Sequence, residues 1–300
     1  MAVTSYLGPE GTFAEQAAYV LAPSDELRSA VSVHAAIAAL RAGEVDAACV
    51  PVENSVEGSV PATLDVMAEG PPVLAVAETV LPIRFSVLVR PGTTAADVHT
   101  VATHPHAAAQ VRGWIGAHLP AATTVLTPST SAAAVAVLEG QADAAVCAPA
   151  AMRHYPLAEL ASGVHDQDDA QTRFLLVCHP GAVAPPTGVD RTSLVAVTAD
   201  RPGALLEVLA EFALRGINLT RIESRPMKCK LGQYRFFLDC EGHIAEAAVG
   251  DALAELYRRC TWVRFLGSYP RTGAPRRGPD PAGFTAAREW LTAVRAGHSA

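Results

Sequence analysis

Lysine is almost absent from this chain. Lys228 and Lys230 are the only two in 300 residues, so arginine carries nearly all the positive charge. Positive charge is itself in deficit, with 23 Lys and Arg against 30 Asp and Glu and a formal net charge of -7. That balance argues against nucleic acid as the main partner, while arginine suits bidentate capture of small carboxylates. No run approaches the ~20 uninterrupted apolar residues of a membrane span, so no membrane association is expected. No basic stretch with an apolar core precedes Gly8-Pro9-Glu10-Gly11, and no signal peptide is expected. The six cysteines (Cys49, Cys147, Cys178, Cys229, Cys240, Cys260) form no C-x-x-C pair. They read as reduced, mostly buried thiols of a cytoplasmic protein.

What is present is apolar material in alternating periods. Half of the residues are apolar, enough for two or three domains with sizeable cores. Strand-like and helix-like stretches alternate up to about residue 179. Strands are expected at Ser5–Leu7, Val31–Val33, Ala47–Val50, Thr100–Ala102, Thr123–Leu126, Ala144–Cys147 and Arg173–Cys178, with two more inside Val73–Val89. Helices are expected at Thr12–Leu21, Ala35–Arg41, Ala107–Leu119 and Ser131–Glu139. Such alternation predicts mostly parallel sheets with helices on their faces. The stretch His34–Ala48 resembles Ser131–Ala145, and Gly43 aligns with Gly140 as Asp46 does with Asp143. The glycines fit helix C-caps and the aspartates fit turns into a strand, so two similar α/β lobes around a cleft are expected. Beyond the Pro- and Gly-rich Pro180–Gly188 the order becomes βαββαβ over about 80 residues, a ferredoxin-like domain. From Arg271 the chain reads as a loose tail with a short helix at Thr285–Arg295.

Four junctions carry candidate chemistry. Gly8-Pro9-Glu10-Gly11-Thr12-Phe13 links the first strand to the first helix, where glycines admit a ligand or Thr12 simply caps the helix. Glu53-Asn54-Ser55, followed by Gly58-Ser59, ends a buried strand; these residues line a site or cap the next helix. Thr103-His104-Pro105-His106, with Gln110 further on, is the equivalent junction of the second lobe. Two histidines without a third ligand at useful spacing do not predict a metal. Gln171-Thr172-Arg173-Phe174 opens the last strand after the acidic loop Asp166–Asp169.

In identity, order and spacing these four junctions resemble the prephenate dehydratase family. Arg201-Pro202-Gly203-Ala204-Leu205-Leu206 and Ile222-Glu223-Ser224-Arg225-Pro226 look like the phenylalanine-binding motifs of its ACT regulatory domain. The resemblance covers about residues 4–270 and shows no preceding chorismate mutase segment, as in the monofunctional form. It implies a two-lobed catalytic domain like type II periplasmic binding proteins over 1–180, with lobe 1 about 1–77 plus 165–180 and lobe 2 about 78–164. A linker over 181–190, an ACT domain over 191–270 and a tail over 271–300 follow.

The implied reaction is decarboxylative dehydration of prephenate to phenylpyruvate, without metal or other cofactor. Thr172 is implied as the residue most tied to activity, with Glu53, Asn54, Ser55, Thr103, Gln110 and Arg173 around it. Thr12, Phe13, Gly58 and Phe174 are implied at the substrate. Thr103 stands where members often have serine, and Pro128 where some carry a glutamate. Gly203, Ala204, Leu205, Asn218, Glu223 and Ser224 would bind L-phenylalanine as a feedback inhibitor, in a homodimer or homotetramer. Arogenate dehydration, or amino-acid sensing without catalysis, are the competing readings.

Overall fold

The chain opens with β1 (Val3–Leu7), α1 (Phe13–Leu21), β2 (Glu26–Ala30), α2 (Val33–Ala42) and β3 (Ala47–Asn54). The computed structural model describes residues 1–166, 169–227, 233–273 and 281–298. Gln167, Asp168, Lys228, Cys229 and Lys230 lie outside these. After β3 come β4 (Gly58–Ser59), α3 (Pro61–Ala68), β5 (Leu74–Pro82) and β6 (Ser86–Val89). Then β7 (Thr100–Thr103), α4 (Pro105–Gln110), α5 (Arg112–His118), β8 (Thr123–Leu126), α6 (Thr130–Leu138) and β9 (Ala144–Cys147) repeat the opening order. A 3-10 turn (Pro149–Arg153), β10 (Ala158–Ser162) and β11 (Gln171–Cys178) complete the α/β part.

Two sheets result. One runs β2-β1-β3-β11-β5 with β4 on β3, the other β10-β6-β9-β7-β8. The trio β2-β1-β3 is matched by β8-β7-β9, parallel in both cases. The repeat seen in the sequence is therefore structural. Gly43 and Gly140 are both left-handed after their helices, at φ 74° and 73°. Asp46 accepts the Val3 N–H at 2.7 Å and Asp143 the Thr100 N–H at 2.9 Å, each pinning the first strand of its trio. Small residues let helix and strand approach closely: Ala14, Ala17 and Ala18 pack on Tyr6 and Cys49, and Ala133, Ala134 and Val137 on Ala102 and Ala145.

Three local expectations differ from what is found. The β-branched Val31–Val33 is not a strand, because Ser32 Oγ accepts the Ala35 N–H at 3.0 Å and caps α2, which begins at Val33. The strand lies earlier, at Glu26–Ala30. The helix expected over Ala107–Leu119 is two helices that break at Val111, because the Asp166 carboxylate accepts the Gly113 and Trp114 N–H groups at 2.8 and 2.9 Å and caps α5. The Glu53–Ser59 segment caps no helix; it forms the β3–β4 hairpin, with Glu53 paired to Ser59 and Asn54 to Gly58.

The chain divides into two compact units, Met1–Val66 with Thr79–Leu176, and Met67–Glu78 with Val177–Ala300. The second unit holds β12 (Asp190–Val197), α7 (Ala204–Ala213), β13 (Leu219–Pro226), β14 (Tyr234–Glu241), α8 (Ala247–Arg259) and β15 (Trp262–Pro270). Its sheet is ordered β13-β14-β12-β15, antiparallel throughout, the ferredoxin-like topology. Val208, Phe212, Ala252 and Leu256 of its helices bury one face against Leu194, Ala196 and Leu238. Residues 67–78 belong to this unit: Arg264 donates to the carbonyls of Met67, Glu69 and Gly70 at 3.2, 3.2 and 3.0 Å. The buried Glu78 carboxylate pairs with Arg191 in the same unit. In the stretch read as a loose tail, α9 (Pro281–Arg295) is longer than the short helix expected. Phe284 packs on the second unit's core, and Arg288 bonds Asp251 of α8 at 2.8 Å.

Candidate active site

The ends of β3 and β11 meet residue by residue. The Ser55 N–H donates to the Gln171 carbonyl at 2.9 Å, and the Gln171 N–H to Ser55 Oγ at 2.9 Å. Asn54 Nδ2 donates to Thr172 Oγ1 at 2.8 Å. Arg173 Nε lies 3.2 Å from Glu53 Oε2. The pairing of 55 with 171, 54 with 172 and 53 with 173 brings five of the expected site residues to the adjoining ends of β3 and β11, with Gln171 beside them. Thr172 and Arg173 are buried, while Glu53 is 41% exposed, so the ion pair places a desolvated guanidinium under a half-solvated carboxylate.

Asn54 has a fixed orientation. Its Oδ1 accepts the Val56 and Glu57 N–H groups at 2.8 and 3.0 Å, so its amide nitrogen must face Thr172. Thr172 Oγ1 therefore acts as an acceptor toward Asn54, and among the described residues its own proton is available to a third partner. Accepting one hydrogen bond polarises a hydroxyl and makes it a better donor.

Other expected residues take different places. Thr12 caps α1: its Oγ1 accepts the Glu15 N–H at 3.3 Å and donates to the Leu7 carbonyl at 3.2 Å. Phe13 meets Phe85 edge-on with ring centroids 5.6 Å apart and packs on the hydrophobic clusters of both sheets. Gly58 faces Asn54 across the hairpin. Phe174 is not at the site surface. Two residues beyond Thr172 on the same face of β11, it is buried with Tyr6, Ala14 and Cys49 under α1.

On the second sheet, Thr103 is fully buried and donates to the Val146 carbonyl at 2.8 Å. Gln110 is buried, and its Oε1 has no hydrogen-bond partner among the described residues, an acceptor left open. His104 serves as the α4 N-cap, its Nδ1 accepting the His106 N–H at 3.3 Å. Burial, then the neighbouring His106, lowers the pKa of His104. Among the described residues no group of three His, Cys, Asp or Glu side chains is placed to hold a metal ion.

Sequence reasoning missed a polar cluster at the other side of α1. Glu15 is buried; its Oε2 accepts the Gly11 N–H at 2.8 Å and lies 3.0 Å from His154 Nε2, and its Oε1 accepts the Tyr6 hydroxyl at 3.3 Å. Burial and the Glu15 and Glu10 carboxylates push the Tyr6 phenol up. A lone carboxylate on the alanine face of α1 is the one local signal that could have marked it.

In the second unit Gly203 stands in the left-handed region before α7, and among the described residues no side chain caps that helix. Ala204 is buried, Leu205 packs on the core, and Glu223 and Ser224 lie on the edge strand β13 that Asn218 precedes.

These geometries sit in a chain with close relatives. The model of the prephenate dehydratase family matches residues 4–182, and that of the ACT domain residues 192–256. A prephenate dehydratase of Amycolatopsis methanolica is 54% identical over the whole of both chains. The crystal structure of prephenate dehydratase from Arthrobacter aurescens in complex with L-Phe is 42% identical, with TM-score 0.90, covering 97% of this chain and 99% of that one. A protein described as a novel type of quorum-quenching acylase is 30% identical, with TM-score 0.84, covering 91% of this chain and all of the other. With its paired β3 and β11 ends inside the matched segment and full-length identity above one half, the chain belongs to the prephenate dehydratase family.

Proposed function

We propose that this chain converts prephenate to phenylpyruvate and is inhibited by L-phenylalanine. The observation that carries the reading is the Asn54–Thr172 hydrogen bond, which leaves a polarised hydroxyl proton at the end of a buried strand. In the reaction the ring carboxylate leaves as CO2, and its bonding electrons enter the ring. The ring C–O bond breaks at the opposite carbon, and the hydroxyl takes up a proton and departs as water. Aromatisation drives the step, so the site has only to stabilise charge on the departing oxygen and hold the ring.

Thr172 donates to that oxygen as its negative charge develops. A preorganised donor of this kind is typically worth ~10²–10³-fold in rate. A threonine hydroxyl is too weak an acid to give up its proton alone at neutral pH, so the proton that completes the water is relayed or comes from solvent. Arg173, held by Glu53, supplies a fixed cation for the substrate carboxylates. Gln110 offers its open acceptor from the end of α4.

L-phenylalanine binding is assigned to the second unit, its carboxylate at the start of α7 near Gly203 and Ala204, and its ammonium near Asn218, Glu223 and Ser224. A homodimer or homotetramer in the cytoplasm completes the reading. The test is to follow aromatic product from prephenate and from arogenate, with and without L-phenylalanine, using wild type and Thr172→Val. Wild type should turn over prephenate and be inhibited, and the folded variant should lose at least ~10²-fold in kcat. A wild-type protein that leaves prephenate untouched, or that only cleaves N-acyl substrates, would overturn the reading.

A further inference from the structure

One face of the first helix, together with the turn before it, packs against the segment that follows β9. Gly11, Glu15 and Tyr19, spaced four apart, meet Ala151, His154 and Arg153. A Cβ at Gly11 would fall 2.8 Å from Ala151 Cα, so the backbones touch there. Glu15 Oε2 is 3.0 Å from His154 Nε2, and the same imidazole's Nδ1 is 3.6 Å from Glu10 Oε2. The Tyr155 hydroxyl donates to the Glu10 carbonyl at 3.4 Å, and the Arg153 guanidinium lies 5.9 Å from the Tyr19 ring centroid.

We propose that Glu15 and His154 are positioning residues: their 3.0 Å polar contact clasps the two sheets together and sets the spacing between the Thr172 wall and the Gln110 wall. This rests on the prephenate reading above. Packing alone would not select such a pair, since an apolar pair of similar volume fills a buried contact at lower desolvation cost. The clasp is polar and reached by water from one side, with the exposure of His154 at 25% against 4% for Glu15. A cleft whose walls are already at working distance binds without first spending affinity on closure, because apparent affinity scales with the fraction in the competent state. Breaking the clasp therefore weakens binding while leaving the bound complex as reactive as before.

The test uses the full-length protein with Glu15→Gln, His154→Gln and the double variant. Each single change should raise KM for prephenate roughly tenfold with kcat held within about twofold, and the double variant should be no worse than either single. Unchanged KM, a kcat loss at constant KM, or additive effects would overturn the clasp. If Glu15→Gln fails to fold, His154→Gln decides, its side chain being the more exposed. Hydrogen exchange separates this proposal from the activity reading. His154→Gln should accelerate exchange in residues 8–13 and 148–155 and leave α7 unchanged. If exchange is unaltered the clasp is wrong even where wild type is active. If exchange is faster but wild type ignores prephenate, only the activity reading falls.

Discussion

Asn54 and Thr172, 118 positions apart, share a 2.8 Å hydrogen bond whose direction is fixed from the Asn54 side. Replacing Asn54 by Asp keeps the turn-forming acceptor and removes the donor. The carboxylate would then draw the Thr172 proton toward itself and away from substrate. We expect Asn54→Asp to lower kcat by about 10²-fold, more than Asn54→Ala, with little change in KM. Steady-state kinetics on variants of native circular dichroism check this; an Asp variant as active as wild type would reverse the assigned direction.

Gly11 has φ +78° as well as its close approach to Ala151. Gly11→Ala should cost about 1–3 kcal/mol in stability from backbone strain, with more from the clash. A urea midpoint matching that of wild type would contradict the packing described for this turn.

Asp143 accepts from the His99 N–H, the Thr100 N–H and the Thr100 hydroxyl at 3.0, 2.9 and 2.8 Å. The Thr100 hydroxyl above all holds its carboxyl below the ordinary 3.8. A carboxyl depressed on folding stabilises fully above its unfolded value and loses that contribution as pH falls through its folded value. Asp143→Asn should therefore be less stable than wild type at pH 7, with the gap narrowing below about pH 4. Thermal unfolding at several pH values measures the gap, and a gap independent of pH would exclude the carboxylate as its source.

Burial pushes the Cys147 and Cys240 thiols up to about 12 and raises Cys49 as well. Thiols held that high stay protonated at pH 8, so these three should resist iodoacetamide in the native protein and react on denaturation. Cys178 and Cys260, partly exposed, should label before these three. Mass mapping of native-state adducts decides, and early modification of Cys147 would show that its strand opens readily.

How much was legible depended on the range of the interaction. The duplication was visible in Gly43 and Gly140 because a helix C-cap is a local demand, and the βαββαβ order was visible for the same reason. Val31–Val33 reads as a strand by β-propensity, but the capping preference of Ser32 wins and starts a helix there. The break at Val111 is set by Asp166, which no local pattern reveals. In the site, Asn54 and Thr172 were found through motif resemblance, but the direction of their hydrogen bond was not. Glu15 and His154, 139 positions apart, left no joint trace in the sequence. The burial of Phe174 was not legible either, because membership of a motif does not say which side of a strand is already covered.

The order of strands in the first sheet has a consequence for synthesis. Sheet two draws its strands from residues 86–162, a continuous stretch, whereas β3 finds its neighbour β11 only at residues 171–178. A chain emerging from its N-terminus can assemble the second sheet while the first still has an open edge along β3. The Asn54–Thr172 contact is then among the last in this region to form, made when the returning strand closes a long loop. A nascent chain halted short of Thr172 would carry one finished half and an inactive other.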